Sequence, residues 1–289
     1  MRFDGIYVPL VTPFDGKGDI DQRKLETLVE AMLGKGVAGL VACGTTGEYY
    51  ALSDTERSLV LQTVQRVAGQ RVTLIAGIGD FSTRGSIERA AQAKALGYDA
   101  LMLSPPPYSL PGQDGIRAHF EQAAAHCALP IILYNFPART GVNIEFDTVA
   151  ALARHPNIVA IKESSGNFSQ ALRMLQAGFT DFEVVCGCDD QPIDYFFWGA
   201  RAWIAGAANV FPGEQVALHK AARAGDWERA RELMRAMYPA LHSMESGDYN
   251  QKAKAGCLNA SLDAGEVRLP LLPLDPAKRQ AFIDLVWGA

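Results

Sequence analysis

The chain has 289 residues, of which 48% are hydrophobic and 20% are charged, and its formal net charge is −5. These values are typical of a soluble globular protein with an ample core, folded as one large domain or two small ones. The weak acidic balance and the absence of a basic run argue against nucleic acid and membrane surfaces as partners. Because the sequence shows neither a signal peptide nor an apolar run of membrane-spanning length, we expect a cytoplasmic protein.

Eight short runs rich in Val, Ile and Leu recur along the chain, each followed by a segment with helical features. Most are apolar on both faces, which is typical of parallel strands covered by helices. A repeat of roughly thirty residues favours a (β/α)₈ TIM barrel, an α/β fold, over an open sheet. The runs begin near Ile6, Val37, Val72, Ala100, Pro130, Ile158, Phe182 and Ala202.

Capping signals mark the intervening helices. Ser53 and Glu56 have the spacing of a capping box ahead of an apolar helical pattern. Glycines stand where helices should end, at Gly34, Gly36, Gly69 and Gly97.

The pattern changes to helices alone near Asp226. Asp226 precedes one helical stretch, Asp275 with the proline after it opens another, and Glu245–Asn250 is predicted to be a loop. We therefore predict a catalytic barrel over residues 1–225 and a helical C-terminal domain over residues 226–289.

Lys162 is the most informative residue, because it ends the sixth predicted strand and active sites of TIM barrels lie at that end. Alternation places it on one face with Ala160 and Ser164. If that face is the barrel interior, desolvation lowers the lysine pKa and makes the free amine a nucleophile. The alternative is a lysine on the helix-facing side that extends to water.

Tyr134 ends the neighbouring fifth strand at a matching height, where its phenol could relay protons. The alternative is a buried tyrosine whose hydroxyl is satisfied within the core. Arg139 lies just past the same strand, and its guanidinium would suit a second carboxylate on the substrate. A solvated surface arginine is the alternative for Arg139.

The turn Gly44–Gly47 follows the second strand and contains Thr45 and Thr46. Two glycines, consecutive N–H groups and two hydroxyls can form a nest for a carboxylate. A plain βα turn uses the same residue types, so that alternative stays open.

Two other barrel chemistries fit less well. A phosphate site would place glycine-rich amides after strand seven, where Asp189 and Asp190 would repel the anion. A metal-dependent aldolase needs His or carboxylate ligands at strand ends, and none of the five histidines falls there. The five scattered cysteines also lack zinc-site spacing, so we expect buried free thiols and no metal.

These motifs together resemble the dihydrodipicolinate synthase/N-acetylneuraminate lyase family, and the likeness runs over essentially the whole chain. The matching pieces are Gly44–Glu48, Tyr134–Pro137 with Arg139–Gly141, and Ile161–Glu163. The resemblance implies a barrel with a helical C-terminal domain and a Schiff base between pyruvate and Lys162, without a metal or an organic cofactor.

The resemblance also implies roles for further residues. Tyr134 would be the proton-relay phenol, Thr45 would complete the relay, and Thr46 with nearby amides would hold the pyruvate carboxylate. Tyr108 aligns with a tyrosine that family synthases lend to a neighbouring subunit.

Two more positions, Gly187 and Ile204, match residues that line the pyruvate site in the family. Family members are usually homotetramers built as dimers of dimers, so we expect the same assembly here.

Within the family, Thr45 and Arg139 favour the condensation of pyruvate with aspartate semialdehyde, whose carboxylate needs a cation. Tyr49 and the Gly247–Gln251 segment depart from the synthase pattern, and the Cys188–Asp190 segment resembles that of the lyases. A 2-keto-3-deoxy sugar acid aldolase or dehydratase is therefore the alternative. A third alternative is a non-catalytic barrel that binds a 2-oxo acid.

Overall fold

A computed structural model describes residues 1–288, in which eight parallel strands form a closed barrel in the order β1 to β8. The predicted (β/α)₈ architecture and all eight predicted strands are confirmed. The strands are β1 Gly5–Pro9, β2 Gly39–Ala42, β3 Thr73–Gly77, β4 Ala100–Leu103, β5 Ile131–Asn135, β6 Ile158–Glu163, β7 Glu183–Cys186 and β8 Ala202–Ile204.

The strands are buried on both faces, as their apolar composition predicts. All residues of β5 and β6 are buried, including the polar side chains near the ends of these strands. Helices cover the outer face of the barrel, so a strand needs apolar residues at successive positions rather than at alternate ones. A charged side chain within such a strand is therefore an exception that has to be explained.

Helices alternate with the strands and continue beyond the last one. Two short 3₁₀ segments, Tyr49–Ala51 and Gly206–Asn209, follow β2 and β8. The α-helices are α1 Gln22–Gly34, α2 Asp54–Ala68, α3 Thr83–Ala95, α4 Gln113–His126, α5 Pro137–Thr140, α6 Phe146–Leu152, α7 Phe168–Leu175, α8 Pro192–Phe197, α9 Pro212–Ala224, α10 Trp227–Glu245, α11 Tyr249–Ala255, α12 Cys257–Ala260 and α13 Pro276–Trp287.

The predicted helix boundaries follow from their caps. Ser53 and Glu56 form a reciprocal capping box at the start of α2. Gly36, Gly69 and Gly97 have φ values of 78°, 56° and 80°, which glycine adopts at little cost where a helix has to end.

The chain divides into two compact units. One unit contains residues 1–4 and Leu74–Ile204, and therefore most of β3 together with β4 to β8. The other contains Gly5–Thr73 and the residues from Ala205 onward, and therefore β1, β2 and the C-terminal helices. The boundary between residues 225 and 226 stays a prediction.

C-terminal helices are present as predicted, and the side chains of Asp226 and Asp275 cap α10 and α13. The predicted loop Glu245–Asn250 is wrong at both ends, because α10 runs to Glu245 and α11 begins at Tyr249. The Lys252 ammonium donates to the carbonyls of Ser243 and Gly247, and so satisfies backbone groups where α10 ends. Among residues 1–288, no helix combines the length and the apolar character needed to cross a bilayer.

Candidate active site

Lys162 and Tyr134 lie side by side in the first unit. They are register partners on β6 and β5, and both are buried, with 5% and 7% of their surface exposed. The Lys162 Nζ lies 4.4 Å from the centroid of the Tyr134 ring. The structure therefore places an amine and a phenol together at the carboxyl ends of two neighbouring strands, as the sequence predicted.

Gly187 follows β7 and lies against the lysine. A Cβ atom at this position would be 2.9 Å from the Lys162 Cγ, 2.8 Å from the Glu163 carbonyl oxygen and 2.0 Å from the Ser164 Oγ. Its N–H donates to the Glu163 carbonyl at 2.9 Å. A side chain at residue 187 would therefore collide with the lysine and the backbone beside it.

Arg139 and Tyr108 lie in loops of the same unit and are both exposed. The Arg139 guanidinium stands 6.0 Å from the centroid of the Phe136 ring, within the short helix α5. Tyr108 is 91% exposed and has a φ of 73°, a conformation that bulky residues rarely adopt. Leu110 in the same loop packs over Gly141, which links the Tyr108 loop to the Arg139 loop.

The last strand of this unit contributes Ile204, which is fully buried. Its neighbour Trp203 donates its indole N–H to the Asp189 carboxylate at 3.1 Å, and Asp189 is only 1% exposed. This carboxylate oxygen therefore already accepts a hydrogen bond within the protein core. A buried and hydrogen-bonded Asp189 does not fit the interpretation of this residue as a ligand for sugar hydroxyls. Asp190, by contrast, is exposed.

In the second unit, Thr45 and Thr46 lie in the threonine loop, which we define as Gly44–Glu48. Thr45 is half-buried and Thr46 is 7% exposed. Cys43, which precedes the loop, and Glu48, its last residue, have φ values of 56° and 55°. Left-handed backbone at two non-glycine residues costs about 1–2 kcal/mol each, so the surrounding structure has to hold this loop in place.

Side chains from several parts of the second unit hold the threonine loop. Thr12 donates to the Gly47 carbonyl at 2.7 Å, and Asn250 donates to the Thr45 carbonyl at 3.1 Å. The Glu48 carboxylate is fully buried and lies 2.7 Å from the Lys254 ammonium. Burial lowers the pKa of Lys254, and the Glu48 carboxylate opposes that shift.

Asn250 and Lys254 were missed by sequence reasoning, which placed Asn250 in a loop and gave Lys254 no role. The signal in the sequence is a lysine between two alanines, Ala253 and Ala255, and the structure shows that this lysine is itself buried. Its partner Glu48 lies more than two hundred residues away in the chain, so spacing alone could not pair them.

No group of three or more His, Cys, Asp or Glu side chains within residues 1–288 is arranged to hold a metal ion. The five cysteines are buried and free, as predicted. Burial raises the pKa of the Cys186 thiol well above its usual value, and raises that of Cys257 to about 12. These thiols therefore remain protonated and are poor nucleophiles.

Curated relatives match the chain over nearly its full length. A protein of Geotalea daltonii named 4-hydroxy-tetrahydrodipicolinate synthase is 40% identical over 286 residues, which cover 98% of each chain. A protein of the same name from Exiguobacterium sibiricum is 40% identical over 270 residues, covering 93% of this chain and 92% of its own.

Solved structures agree with these relatives. A dihydrodipicolinate synthase of Bacillus anthracis superposes with a TM-score of 0.95 at 33% identity, over 100% of this chain and 99% of its own. A dihydrodipicolinate synthase of Acinetobacter baumannii, complexed with pyruvate, has a TM-score of 0.93 at 33% identity and 99% coverage of both chains. The profile of the dihydrodipicolinate synthetase family matches residues 2–287. The chain belongs to this family.

Proposed function

We propose that this protein is a class I Schiff-base enzyme that condenses pyruvate with aspartate semialdehyde, the reaction of 4-hydroxy-tetrahydrodipicolinate synthase. The observation that carries the proposal is the buried pair of Lys162 and Tyr134 at the ends of β6 and β5, in a chain 40% identical to relatives of that name. The related synthase of Acinetobacter baumannii is complexed with pyruvate, which supports pyruvate as the first substrate.

In this mechanism the Lys162 amine attacks the keto carbon of pyruvate, and loss of water gives an imine. Removal of a proton from the methyl carbon gives an enamine, and that carbon then attacks the aldehyde carbon of the second substrate. The amino group of the bound aspartate semialdehyde then attacks the imine carbon, which closes the ring of the product and frees the lysine amine. Tyr134 would move protons during these steps with the help of Thr45. Thr46 would hold the carboxylate of pyruvate, and Gly187 and Ile204 would line its site.

The choice of aldehyde rests on charge. Arg139 is exposed in the loop after β5 and offers a guanidinium to a carboxylate such as that of aspartate semialdehyde. Asp189, one of the two carboxylates after β7 that could bind sugar hydroxyls, instead accepts a hydrogen bond from Trp203. Both observations favour the charged aldehyde over a polyhydroxylated sugar acid.

We further propose a homotetramer, a dimer of dimers, in which Tyr108 serves the site of a neighbouring subunit. The first unit exposes two apolar patches, one with Tyr108 and Leu110 and one with Phe197 and Trp198. A dimer of dimers requires two different two-fold interfaces, and the two exposed apolar patches are the surfaces that we propose for them.

A steady-state assay of purified protein with pyruvate and a panel of second substrates tests the proposed function. We expect turnover with aspartate semialdehyde and much weaker activity with 2-keto-3-deoxy sugar acids. Arg139→Ala should raise the KM for aspartate semialdehyde by about tenfold or more and change the KM for pyruvate little, because it removes a contact to one substrate only. A preference for sugar acids, or binding of pyruvate without turnover of any partner, would contradict the proposal.

A further inference from the structure

A second pair of side chains lies directly behind the lysine and the tyrosine. Asn135 is the register partner of Glu163, just as Tyr134 is that of Lys162. Successive side chains of a strand point to opposite faces, so Asn135 and Glu163 lie on the other face of the same two strands. Both are fully buried, and the Asn135 amide donates to the Glu163 Oε2 at 2.9 Å.

This pair belongs to a larger network of buried and half-buried polar groups. The Asn135 amide also donates to the Asn143 Oδ1 at 2.8 Å, and the Asn143 amide donates to the Gln170 Oε1 at 3.0 Å. The Glu163 Oε1 accepts the N–H of Ser165 at 2.7 Å. Burial raises the pKa of Glu163, and the hydrogen bonds from Asn135 and Ser165 oppose that shift.

The network fixes the loop that contains Arg139, residues 136–144. The Asn135 Oδ1 accepts the N–H of Ile144 at 2.9 Å, so the last residue of the loop is bonded to the side chain of the residue that precedes the loop. Gln170 on α7 donates to the Ile144 carbonyl at 3.2 Å, and Gln113 on α4 donates to the Asn143 carbonyl at 2.8 Å. The C-terminal end of this loop is therefore hydrogen-bonded to the buried Asn135 and to the half-buried Gln113 and Gln170.

We propose that Asn135, Asn143, Glu163 and Gln170 are positioning residues that set the place of the Arg139 loop relative to Lys162. In this way they determine how well the enzyme binds the carboxylate of its aldehyde substrate. The inference rests on the function proposed above.

The experiment first breaks the hydrogen bond from Asn135 to Glu163 and then restores it with donor and acceptor exchanged. Asn135→Asp puts a carboxylate against Glu163 and removes the amide that donates to the Asn143 Oδ1, so repulsion and the lost hydrogen bond should displace the loop at Asn143. The KM for aspartate semialdehyde should rise about tenfold or more, while the KM for pyruvate and the borohydride-trapped adduct on Lys162 stay close to wild type. In the double variant Asn135→Asp/Glu163→Gln, the new amide can donate to the new carboxylate. We expect this variant to regain most of the lost affinity for the aldehyde.

Asn157→Asp is a matched control, because Asn157 precedes β6 at its opposite end and donates to the carbonyls of Ala124, Cys127 and Leu129. We expect this control to lower the unfolding midpoint without raising the KM for aspartate semialdehyde relative to the KM for pyruvate. If Asn135→Asp does not fold, Asn143→Ala removes the contact from the loop side and should give the same KM split.

Two outcomes would overturn the inference. One is an unchanged KM for aspartate semialdehyde in Asn135→Asp or Asn143→Ala, and the other is an equal rise in both KM values like that of a merely destabilised protein. Absence of a pyruvate adduct in the wild-type enzyme is distinguishable from both, since it would refute the proposed function and this inference with it.

Discussion

Gly187 shows how a single hydrogen atom in place of a side chain shapes the site at the residue scale. The absence of a Cβ at Gly187 leaves room for Lys162. A Cβ at this position would lie 2.8 Å from the carbonyl oxygen of Glu163, which as a backbone atom cannot rotate away. The proposed attack by the amine needs the lysine in one place, because a displacement of about 1 Å can lower a rate about a hundredfold.

Gly187→Ala should therefore lower kcat/KM by about tenfold or more while the protein remains folded. Gly213→Ala in α9 is a matched control, since the nearest atom to its new Cβ outside the helix backbone and the neighbouring residues would be the Lys35 Cδ at 3.7 Å. We expect wild-type activity in that control. Steady-state kinetics with pyruvate and aspartate semialdehyde would measure both variants, and wild-type activity in Gly187→Ala would show that the lysine tolerates displacement.

At the scale of the secondary-structure elements, helix α11 contacts the threonine loop through Lys254. This lysine lies 2.7 Å from the Glu48 carboxylate and 3.9 Å from the centroid of the Phe14 ring, and it donates to the Glu266 carbonyl. The helix thereby braces the strained threonine loop after β2, because the left-handed residue Glu48 is held by a partner that is itself buried.

Lys254→Met should lower the free energy of unfolding by about 3–5 kcal/mol, because it leaves the Glu48 carboxylate buried without a countercharge. Adding Glu48→Gln should recover much of that loss. Lys278→Met is the surface control, since Lys278 pairs with Asp248 at 3.6 Å in solvent, and we expect a change of about 1 kcal/mol or less. Urea unfolding measures all three variants; equal small losses for Lys254→Met and Lys278→Met would contradict the bracing role.

Glu56 at the start of α2 links this helix to the segment after α12. The Arg268 guanidinium lies 2.5 Å from its carboxylate and lowers the pKa of Glu56 from 4.5 to about 2, with further help from the Ser53 N–H. A carboxyl group whose pKa is depressed on folding stabilises the fold above its unfolded pKa. That contribution is lost as the pH falls from 4.5 toward about 2.

The stability of the wild-type protein should therefore fall more steeply than that of Glu56→Gln across this acid range. The glutamine keeps the capping box but does not titrate. Urea midpoints at several pH values between neutrality and pH 3 would give the difference. Parallel curves for the two proteins would show that the Glu56–Arg268 pair does not contribute.

Sequence reasoning found those features of the elements that depend on neighbours in the chain. The capping box at Ser53, the caps at Asp226 and Asp275 and the strand containing Lys162 follow from local pattern, and the structure confirms them. The start of α11 was missed because Lys252 satisfies the carbonyls at the end of α10, a contact that no periodicity reports.

The contacts of the residues behind the site also could not be predicted, because they too depend on residues that are distant in the chain. Asn135 and Glu163 are adjacent in the chain to Tyr134 and Lys162, yet their bond depends on the register of two strands. Glu48 and Lys254 are more than two hundred residues apart in the chain and meet only in the tertiary structure. The position of Lys162 and Tyr134 at strand ends can be predicted from the sequence, whereas the contacts of the residues behind them depend on the register and the tertiary fold.

At the scale of the whole molecule, the two exposed apolar patches bear on how the chains assemble. Phe197 is 62% exposed and Trp198 45%, and their rings are 5.8 Å apart at the end of α8. Tyr108 and Leu110 form the other patch, both with left-handed backbone. A strained loop that presents apolar side chains to solvent is costly in a monomer, and an interface would remove that cost.

The wild-type protein should therefore have the mass of four chains in solution, and Phe197→Glu/Trp198→Glu should have the mass of two. Tyr238→Glu on α10 is the control, with a side chain exposed to the same degree as Trp198, and it should keep the wild-type mass. Light scattering after size exclusion distinguishes these species. A wild-type monomer, or a mass unaffected by the double substitution, would contradict the proposed assembly.

The central claim is that Lys162 forms the covalent intermediate, and trapping that intermediate tests it most directly. The protein is incubated with pyruvate and borohydride, its intact mass is measured, and the modified peptide is mapped. We predict one reduced pyruvyl adduct per chain on Lys162, and none in Lys162→Ala. An adduct on another lysine, or no adduct in the wild-type protein, would contradict the account.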